Sequence, residues 1–179
     1  QFTVFYRWFK DSVEQTNLNG QSNVSLATPN IASNITSGNT SLGENWTVMA
    51  RHYDGNDNSS FLNYSLIINN TLSTVNEALL NSSTGDQDAN DDLTLYLNIS
   101  DPDAQTLTAF ILWYRNVSGT PTQFINNTLN QTTTLTNYTR SFAANISRGN
   151  TTGNENWTAQ VTISDGHTNL SPVNYSVFV

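Results

Sequence analysis

Asparagines in the pattern N-x-[ST] are the residues of this chain best suited to a chemical reaction, because they accept N-linked glycans. With 27 asparagines and 44 serines and threonines in 179 residues, chance placement would give about seven such acceptors. The sequence has eighteen: Asn23, Asn34, Asn39, Asn45, Asn58, Asn63, Asn69, Asn81, Asn98, Asn116, Asn126, Asn130, Asn137, Asn145, Asn150, Asn156, Asn169 and Asn174. This excess predicts extensive N-glycosylation. The plain alternative is that a face rich in Asn and Thr only solvates a sheet.

Aspartates form a second group with possible chemistry. They cluster in the acidic stretch between Asn81 and Leu93, which reads as a linker at a junction between domains, and in the turn that follows the next strand: Asp86, Asp88, Asp91, Asp92, Asp101 and Asp103. Clusters of hard oxygen ligands can bind Ca²⁺ and stiffen an array of domains. A solvated linker with Asp-rich turns explains the same residues without a metal. Calcium is therefore only a weak expectation, and no other cofactor is expected.

Catalytic signals are missing from the sequence. It has no cysteine, two histidines, no glycine-rich phosphate loop and no serine with an obvious base. A glycosidase-type pair of carboxylates stays open on sequence grounds, but we expect no enzyme. Carbohydrate binding through exposed aromatic side chains is the better competing hypothesis. His52 is expected to lie at the edge of a core.

The elements that must position the acceptors are strands, and the clearest of them occurs twice. Residues 43–55 read GENWTVMARHYDG and residues 153–166 read GNENWTAQVTISDG. Because side chains alternate across a strand, Trp46 and Trp157 are predicted to face a core, while Asn45 and Asn156 face outward. Each copy ends in an Asp-Gly turn.

The repeat extends in both directions, from TVFYRWFK to TAFILWYR upstream and from NYSLII to NYSVFV downstream. The offset of 105 to 111 residues fits tandem β-sandwich domains of about 100 residues each. We predict an all-β chain with one domain over residues 1–68 and another over 69–179. Strands are expected at Leu72–Val75 and Leu93–Ser100, with short ones near Val24, Leu26 and Ile31.

The first predicted domain has no counterpart of the two strands that open the second. A sandwich without them would expose an apolar groove and unpaired strand edges. Two explanations fit equally well at this point: a neighbouring chain supplies the strands, or the sequence is a window from a longer array and upstream residues complete the domain.

Two corresponding strands, at residues 1–10 and around Trp113, are partly apolar on both faces, whereas a surface strand of a sandwich should alternate cleanly. The second apolar face is formed by Phe5, Phe9, Phe110, Leu112 and Tyr114. These residues predict contacts with another module or subunit. The alternative is that loops of the same domain cover them.

Composition points to an extracellular chain. Net charge is −8, yet only 11% of residues are charged and Lys10 is the only lysine. An ordinary surface is about 25 to 35% charged, so glycan is the natural source of solubility. A basic footprint for nucleic acid is absent. No stretch approaches the roughly 20 apolar residues of a membrane span.

The order of motifs from NDDLTLYLNISDPDAQTLTAFILWYRN to GNENWTAQVTISDG resembles the Ig-like (PKD- or cadherin-like) tandem repeats of microbial, especially archaeal, surface glycoproteins. It covers most of residues 90–179, and residues 3–68 more loosely. Ala104-Gln105 replaces the usual glycine after the acidic turn, which weakens any metal role there. The resemblance implies a nonenzymatic, extracellular module of a surface layer, stalk or pilus-like filament.

The expected function is therefore structural. Two Ig-like domains would form the repeating part of a heavily glycosylated filament or surface protein that associates with copies of itself through strands and apolar patches. The alternative is an adhesin or carbohydrate-binding stalk module.

Overall fold

The computed structural model describes residues 2–25, 29–88, 90–103, 106–117, 120–123 and 129–179. The chain divides into two compact units, Gln1–Asn70 (unit 1) and Thr71–Val179 (unit 2). The described residues form antiparallel strands and three short 3₁₀ turns, and none of them is α-helical. The prediction of an all-β fold is thereby confirmed. Among these residues there is no helix long and apolar enough to span a bilayer.

Unit 1 contains one antiparallel sheet. Its strands are β1 (Phe2–Lys10), β2 (Val13–Glu14), β3 (Gly20–Val24), β4 (Asn45–Tyr53) and β5 (Leu62–Ile67). β2 and β3 pair with one edge of β1, β4 pairs with the other edge, and β5 pairs with β4. No second sheet is present among the described residues of this unit.

Unit 2 contains two sheets. Its strands are β6 (Thr74–Ser82), β7 (Leu93–Ser100), β8 (Leu107–Val117), β9 (Thr120–Gln123), β10 (Gln131–Leu135), β11 (Arg140–Ile146), β12 (Asn156–Ser164) and β13 (Val173–Phe178). The larger sheet has the order β10-β8-β12-β13 with β9 also on β8, and the smaller has the order β11-β7-β6. Two antiparallel sheets around one core form the Ig-like β-sandwich that the sequence predicts.

The core of unit 2 follows the two-residue period of its strands. Along β7, Leu93, Leu95, Leu97 and Ile99 are all 0% exposed, and the residues between them are half-buried. Trp113 and Trp157 of the larger sheet are also fully buried. Nineteen buried hydrophobic residues make up this core, whereas Trp46 is the only buried hydrophobic residue among the described residues of unit 1.

The single sheet of unit 1 repeats the larger sheet of unit 2 strand for strand. β1 corresponds to β8, β4 to β12 and β5 to β13. The cross-strand pairs agree: Trp46 is opposite Leu66 in β4–β5, and Trp157 is opposite Val177 in β12–β13. β3 pairs with β1 as β10 pairs with β8. Unit 1 therefore builds one of the two layers that unit 2 has.

Three sequence-based expectations need correction. The short strand expected near Ile31 is absent, because residues 29–36 form no strand. The strand expected at Leu72–Val75 runs instead from Thr74 to Ser82 as β6, which the period-two pattern did not reveal because its side chains alternate weakly between polar and apolar. The acidic stretch is not a linker between domains. It is the loop that joins β6 to β7 inside unit 2. The strand at Leu93–Ser100 is confirmed.

Candidate functional site

Seventeen of the eighteen glycan acceptors lie within the described residues, and Asn126 lies outside them. None of the seventeen is buried. Those on strands follow the alternation: Asn156 is half-exposed next to the buried Trp157, and Asn45 is exposed next to Trp46. The acceptors on loops and on unit 1 strands are therefore open to solvent, whereas the side-chain oxygens of Asn98, Asn116 and Asn130 are buried.

In unit 1 the strand acceptors share one face of the sheet. Cross-strand pairs place residues on the same face, and Asn63 pairs with Met49, while Asn23 pairs with Thr3. Asn45 has the same parity as Met49 on β4. All three acceptors thus lie on the outer face, opposite the face that carries Trp46.

Asn137 differs from the other acceptors. Its side-chain oxygen accepts a hydrogen bond from the Asp101 backbone N–H (2.8 Å), and its side-chain nitrogen donates to the Asp101 carbonyl (2.6 Å). The side-chain nitrogen to which a glycan would be attached is thus already hydrogen-bonded. The two bonds join the turn before β11 to the end of β7. This geometry indicates a structural role for Asn137.

A buried glutamate holds the tryptophan in each copy of the repeat. The Trp46 indole N–H donates to Glu44 (2.8 Å), and the Trp157 indole N–H donates to Glu155 (3.0 Å). Lys10 forms an ion pair with Glu44. The hydrogen bond from Lys10 is the main cause that lowers the pKa of Glu44 to about 2, with the Ser41 N–H and the Trp46 indole adding to it.

Arg115 occupies the place of Lys10 in unit 2 and lies 3.3 Å from Glu155. The residues thus form a repeated cluster of cation, carboxylate and indole. The cluster links the start of β4 to β1 and the start of β12 to β8, so its role is structural. The sequence carries the signal as Glu-Asn-Trp-Thr in both copies, although sequence reasoning used only the tryptophan.

The Asp-Gly turns are also duplicated. Asp54 accepts hydrogen bonds from the backbone N–H groups of Asn56 (2.8 Å) and Asp57 (2.9 Å), and Asp165 does the same for His167 and Thr168. The bond from Asp57 is the main cause that lowers the pKa of Asp54. These carboxylates close turns.

Three of the aspartates considered for calcium accept hydrogen bonds from backbone N–H groups. Asp92 accepts from the Arg148 N–H (2.8 Å), Asp103 from the Thr71 N–H (2.6 Å), and Asp101 from the Asp103 N–H (2.8 Å). In the described part of the chain, no three acidic or histidine side chains meet in a group that could hold a metal ion. Asp86, Asp88 and Asp91 belong to the same exposed or half-buried loop.

The apolar residues expected to make inter-subunit contacts all lie on the outer faces of the sheets. Phe110 is 43% exposed, and Phe5, Phe9, Leu112 and Tyr114 are half-buried. This is the face that also carries the strand acceptors. A partner on this face would have to fit between any glycans that are attached there.

A pocket of about 360 Å³ opens on the outer face of unit 1. The Arg51 guanidinium lies 4.9 Å from the centre of the Phe61 ring and 5.7 Å from that of Phe5. Arg7 lies 5.7 Å from Phe61 and 4.0 Å from Glu14. Sequence reasoning missed this pocket, because Phe61 reaches it from outside the strands that carry the repeat.

The opposite face of the same sheet, which carries Trp46, is only partly covered, and its β5 side chains are exposed. We call it the open face: Phe2, Val4, Tyr6, Trp8, Lys10, Gly20, Ser22, Val24, Trp46, Val48, Ala50, His52, Leu62, Tyr64 and Leu66. Leu62 is 79% exposed, Tyr64 71% and Leu66 46%. Val177, which corresponds to Leu66, is 6% exposed. His52 is exposed next to the Phe2 ring, where Ile163 of unit 2 is buried.

No family model and no curated protein matches the sequence. Among solved structures, a segment of two fibronectin type-III domains from chicken tenascin is 9% identical with a TM-score of 0.43, covering 99% of this chain and 84% of that one. The FN1–FN3 domains of chicken CNTN1 are 8% identical with a TM-score of 0.36, covering 99% of this chain and 54% of theirs. Likeness at this level carries no argument about function.

Proposed function

We propose that this chain is a structural, nonenzymatic module of a heavily N-glycosylated extracellular filament or cell-surface protein. The observation that carries the proposal is the placement of the acceptors. Eighteen occur where chance gives about seven, and none of the seventeen described ones is buried. Glycans on such sites would coat the strand faces as well as the loops.

The sparse charge of the chain supports the same role. Only 11% of residues are charged, and exposed apolar side chains such as Ile31 (85%) and Val13 (65%) remain on the surface. Bulky, solubilising glycans on a surface of this kind would keep it in solution and exclude proteases. The extracellular location follows from the same chemistry.

The modules associate through strands and apolar surface in this proposal. Unit 2 shows the complete sandwich, and unit 1 presents a layer that is only partly covered, with the same residue pattern. Calcium at the β6–β7 loop is not needed for this role.

An adhesin or carbohydrate-binding module is the second candidate, and the outer pocket of unit 1 favours it. Aromatic rings and guanidinium groups around about 360 Å³ are the kind of lining that sugars and carboxylates bind. The two candidates differ in behaviour: a filament module assembles with its own kind, whereas an adhesin stays single and binds cells or sugars.

The test is intact mass spectrometry of native material before and after deglycosylation, together with electron microscopy. We expect a mass well above the 19.8 kDa of the polypeptide, with regular filaments or arrays in the images. A mass equal to that of the bare polypeptide would remove the proposed role. Single molecules that bind sugar-coated surfaces would favour the adhesin.

A further inference from the structure

The outer pocket of unit 1 gathers positive charge in a chain that has little of it. Arg7 and Arg51 line this pocket, and they are two of only six lysines and arginines in a chain of net charge −8. Lys10, Arg115 and Arg140 each form an ion pair with a glutamate. Arg51 forms none with a carboxylate of the described residues, and its buried Nε has no hydrogen-bond partner among them. A buried donor in this state calls for an acceptor.

Aromatic rings hold the two guanidinium groups without neutralising them. The Arg51 guanidinium lies 4.9 Å from the centre of the Phe61 ring and 5.7 Å from that of Phe5, and Arg7 lies 5.7 Å from Phe61. A ring has no net charge, so the guanidinium groups keep their attraction for an anion. Because the rings already fix their positions, these side chains lose little freedom when a carboxylate binds.

Unit 2 builds the same pair of strands without this charge. Arg51 is opposite Phe5 in β1–β4, and Thr162 is opposite Phe110 in β8–β12. A leucine stands at the position of β8 that is equivalent to Arg7. The larger sheet of unit 2 keeps the strand order and the register with neither arginine. The fold therefore does not require the two arginines, which leaves them available for binding.

One carboxylate, that of Glu14, also borders the pocket. It lies 4.0 Å from the Arg7 Nε, and it accepts a hydrogen bond from the Asn19 side-chain nitrogen (2.8 Å). It is the only acidic side chain among the described lining residues. Two guanidinium groups thus face one carboxylate, and the excess positive charge selects an anionic ligand.

The size and the walls of the pocket favour a small cyclic ligand over a peptide. Its volume of about 360 Å³ is near the lower end of the range for small-molecule sites, about 300 to 1,000 Å³. Phe5 is paired on both edges of β1, with Gln21 of β3 and with Arg51 of β4. A peptide therefore cannot add to β1 as a further strand at this point.

The surroundings of the pocket point to sugar. The acceptors Asn23 and Asn63 lie on the same outer face, on β3 and β5. Asn23 is two residues from Gln21, the partner of Phe5, and Asn63 is two residues from Phe61. A glycan attached at either position would begin beside the pocket.

We propose that the outer pocket of unit 1 binds a carboxylate-bearing sugar of the uronic acid class. Arg51 and Arg7 hold the carboxylate, and the buried Nε of Arg51 supplies one of the hydrogen bonds. The carbon skeleton of the sugar packs against Phe5 and Phe61. The inference rests on the second candidate function, whose ligand it names, and the structural role stands without it.

The probe is digalacturonic acid, added to the whole chain while the arginine Nε–Hε signals are followed by NMR. We expect saturable binding that shifts the signal of Arg51, whereas the signal of Arg115, which is paired with Glu155, should not move. The control ligand is the dimethyl ester of the same disaccharide, which keeps both rings and removes both charges. It should bind about tenfold more weakly or worse, as expected for the loss of a hydrogen bond between charged groups.

Three variants assign the binding to the pocket. Arg51→Thr installs the residue that unit 2 has at this place, and it should weaken binding of the acid by about tenfold or more. Arg148→Thr removes the same charge from an exposed arginine of unit 2 and should leave binding unchanged. Glu14→Gln removes the carboxylate beside Arg7 and should strengthen binding of the acid by about twofold or more. The indole signals of Trp8 and Trp46 verify that unit 1 stays folded, and Glu14→Gln keeps the test decisive if Arg51→Thr does not fold.

Material with and without its native glycans distinguishes the sources of the sugar. Binding that appears only after the glycans are removed indicates that an attached glycan covers the pocket, and binding in both forms indicates a sugar from outside. Both results support the inference when Arg51→Thr abolishes them.

Absence of binding in both forms, equal binding of the ester, or equal effects of Arg51→Thr and Arg148→Thr would overturn the inference. A tetraglutamate peptide that binds as tightly as the disaccharide would also overturn it, because the ligand would then be an acidic peptide. The outcome is separable from that of the structural role. Native material that carries many glycans but ignores the acid keeps the structural role and loses the inference, and a bare chain that binds the acid does the reverse.

Discussion

In unit 2 the sheet face that carries Trp113 and Trp157 packs against β6, β7 and β11, and nineteen hydrophobic residues become buried. In unit 1 the same face, built from repeated sequence, buries only Trp46 among the described residues. The strands, their order and their register are nevertheless the same. The difference teaches that the repeated sequence sets the same strand order and register in both units, while burial depends on the second sheet.

Burial dominates the energetics of this comparison. Fully burying a Leu, Val or Phe side chain contributes about 1.5 to 3 kcal/mol, and a net hydrogen bond about 0.5 to 1.5 kcal/mol. Unit 1 keeps its hydrogen-bonded ladder but leaves Leu62 and Tyr64 mostly in water. We therefore expect unit 1 to open far more readily than unit 2.

The largest expected effect comes from replacing tryptophans at equivalent positions in the two units, Trp113 of β8 and Trp8 of β1. Trp113→Ala should cost about 3 to 5 kcal/mol in the free energy of unfolding of unit 2, because a fully buried Trp leaves a cavity. Trp8→Ala should cost less than half as much in unit 1, because Trp8 is only half-buried. Hydrogen exchange of amides in each unit measures both values. Equal costs would show that unit 1 has a core that its exposure conceals.

The next effect concerns Asn137, which bridges to Asp101 in unit 2. Asn137→Ala removes both hydrogen bonds and leaves two buried backbone groups of Asp101 without these partners, so unit 2 should lose about 1 to 3 kcal/mol. Unit 1 should be unaffected. Site mapping of native glycopeptides should find Asn137 bare while Asn156 and Asn174 carry sugar. A glycan at Asn137 would contradict the structural role.

A fall in pH should weaken the cluster of Lys10, Glu44 and Trp46 in unit 1. The folded-state pKa of Glu44 is about 2, below its ordinary value of 4.5, with Lys10 as the main cause. A depressed carboxyl pKa stabilises the folded state above about 4.5, and that contribution is lost as the pH falls towards 2. Unit 1 should therefore weaken in this window.

Lys10→Met should raise the pKa of Glu44 towards 4.5, as followed by carboxyl ¹³C chemical shifts. Arg7→Met, on the outer face of the same strand, is the matched control and should leave that titration unchanged. If Lys10→Met left the Glu44 titration in place, the indole and the Ser41 N–H would have to account for the low pKa.

The sequence predicts the all-β fold and the strand at Leu93–Ser100, because alternation of apolar residues is strong there. It also places Trp157 inward. A short strand is expected near Ile31, but residues 29–36 form none, since no strand among the described residues of unit 1 pairs with them. Local pattern could not show this.

The candidate sites also differ in how far the sequence alone reveals them. Acceptor positions are local motifs and are read directly from the sequence, whereas the pocket at Arg51 and Phe61 arises from residues that only the fold brings together. The bridge from Asn137 to Asp101 joins residues 36 positions apart. Composition alone does not separate a linker between domains from a loop that joins two strands of one sheet, so only the fold places the acidic loop between β6 and β7.

The smallest expected effect tests the correspondence between residues 29–35 and β11, which are 111 positions apart, as the repeated strands β4 and β12 are. Ser33 accepts the indole N–H of Trp8 (3.0 Å), and the matching residue in unit 2 is the fully buried Ala144. In the described part of the chain, the buried indole N–H of Trp113 has no acceptor. If the two segments correspond, Ala144→Ser supplies that acceptor and should stabilise unit 2 by about 0.5 to 1.5 kcal/mol.

The control is Ala143→Ser, at the buried neighbouring position in the bulge of β11. It should destabilise unit 2 instead, because its hydroxyl gains no such partner. Thermal unfolding of the two variants decides the matter, and equal losses from both would show that Ser33 and Ala144 do not hold equivalent places.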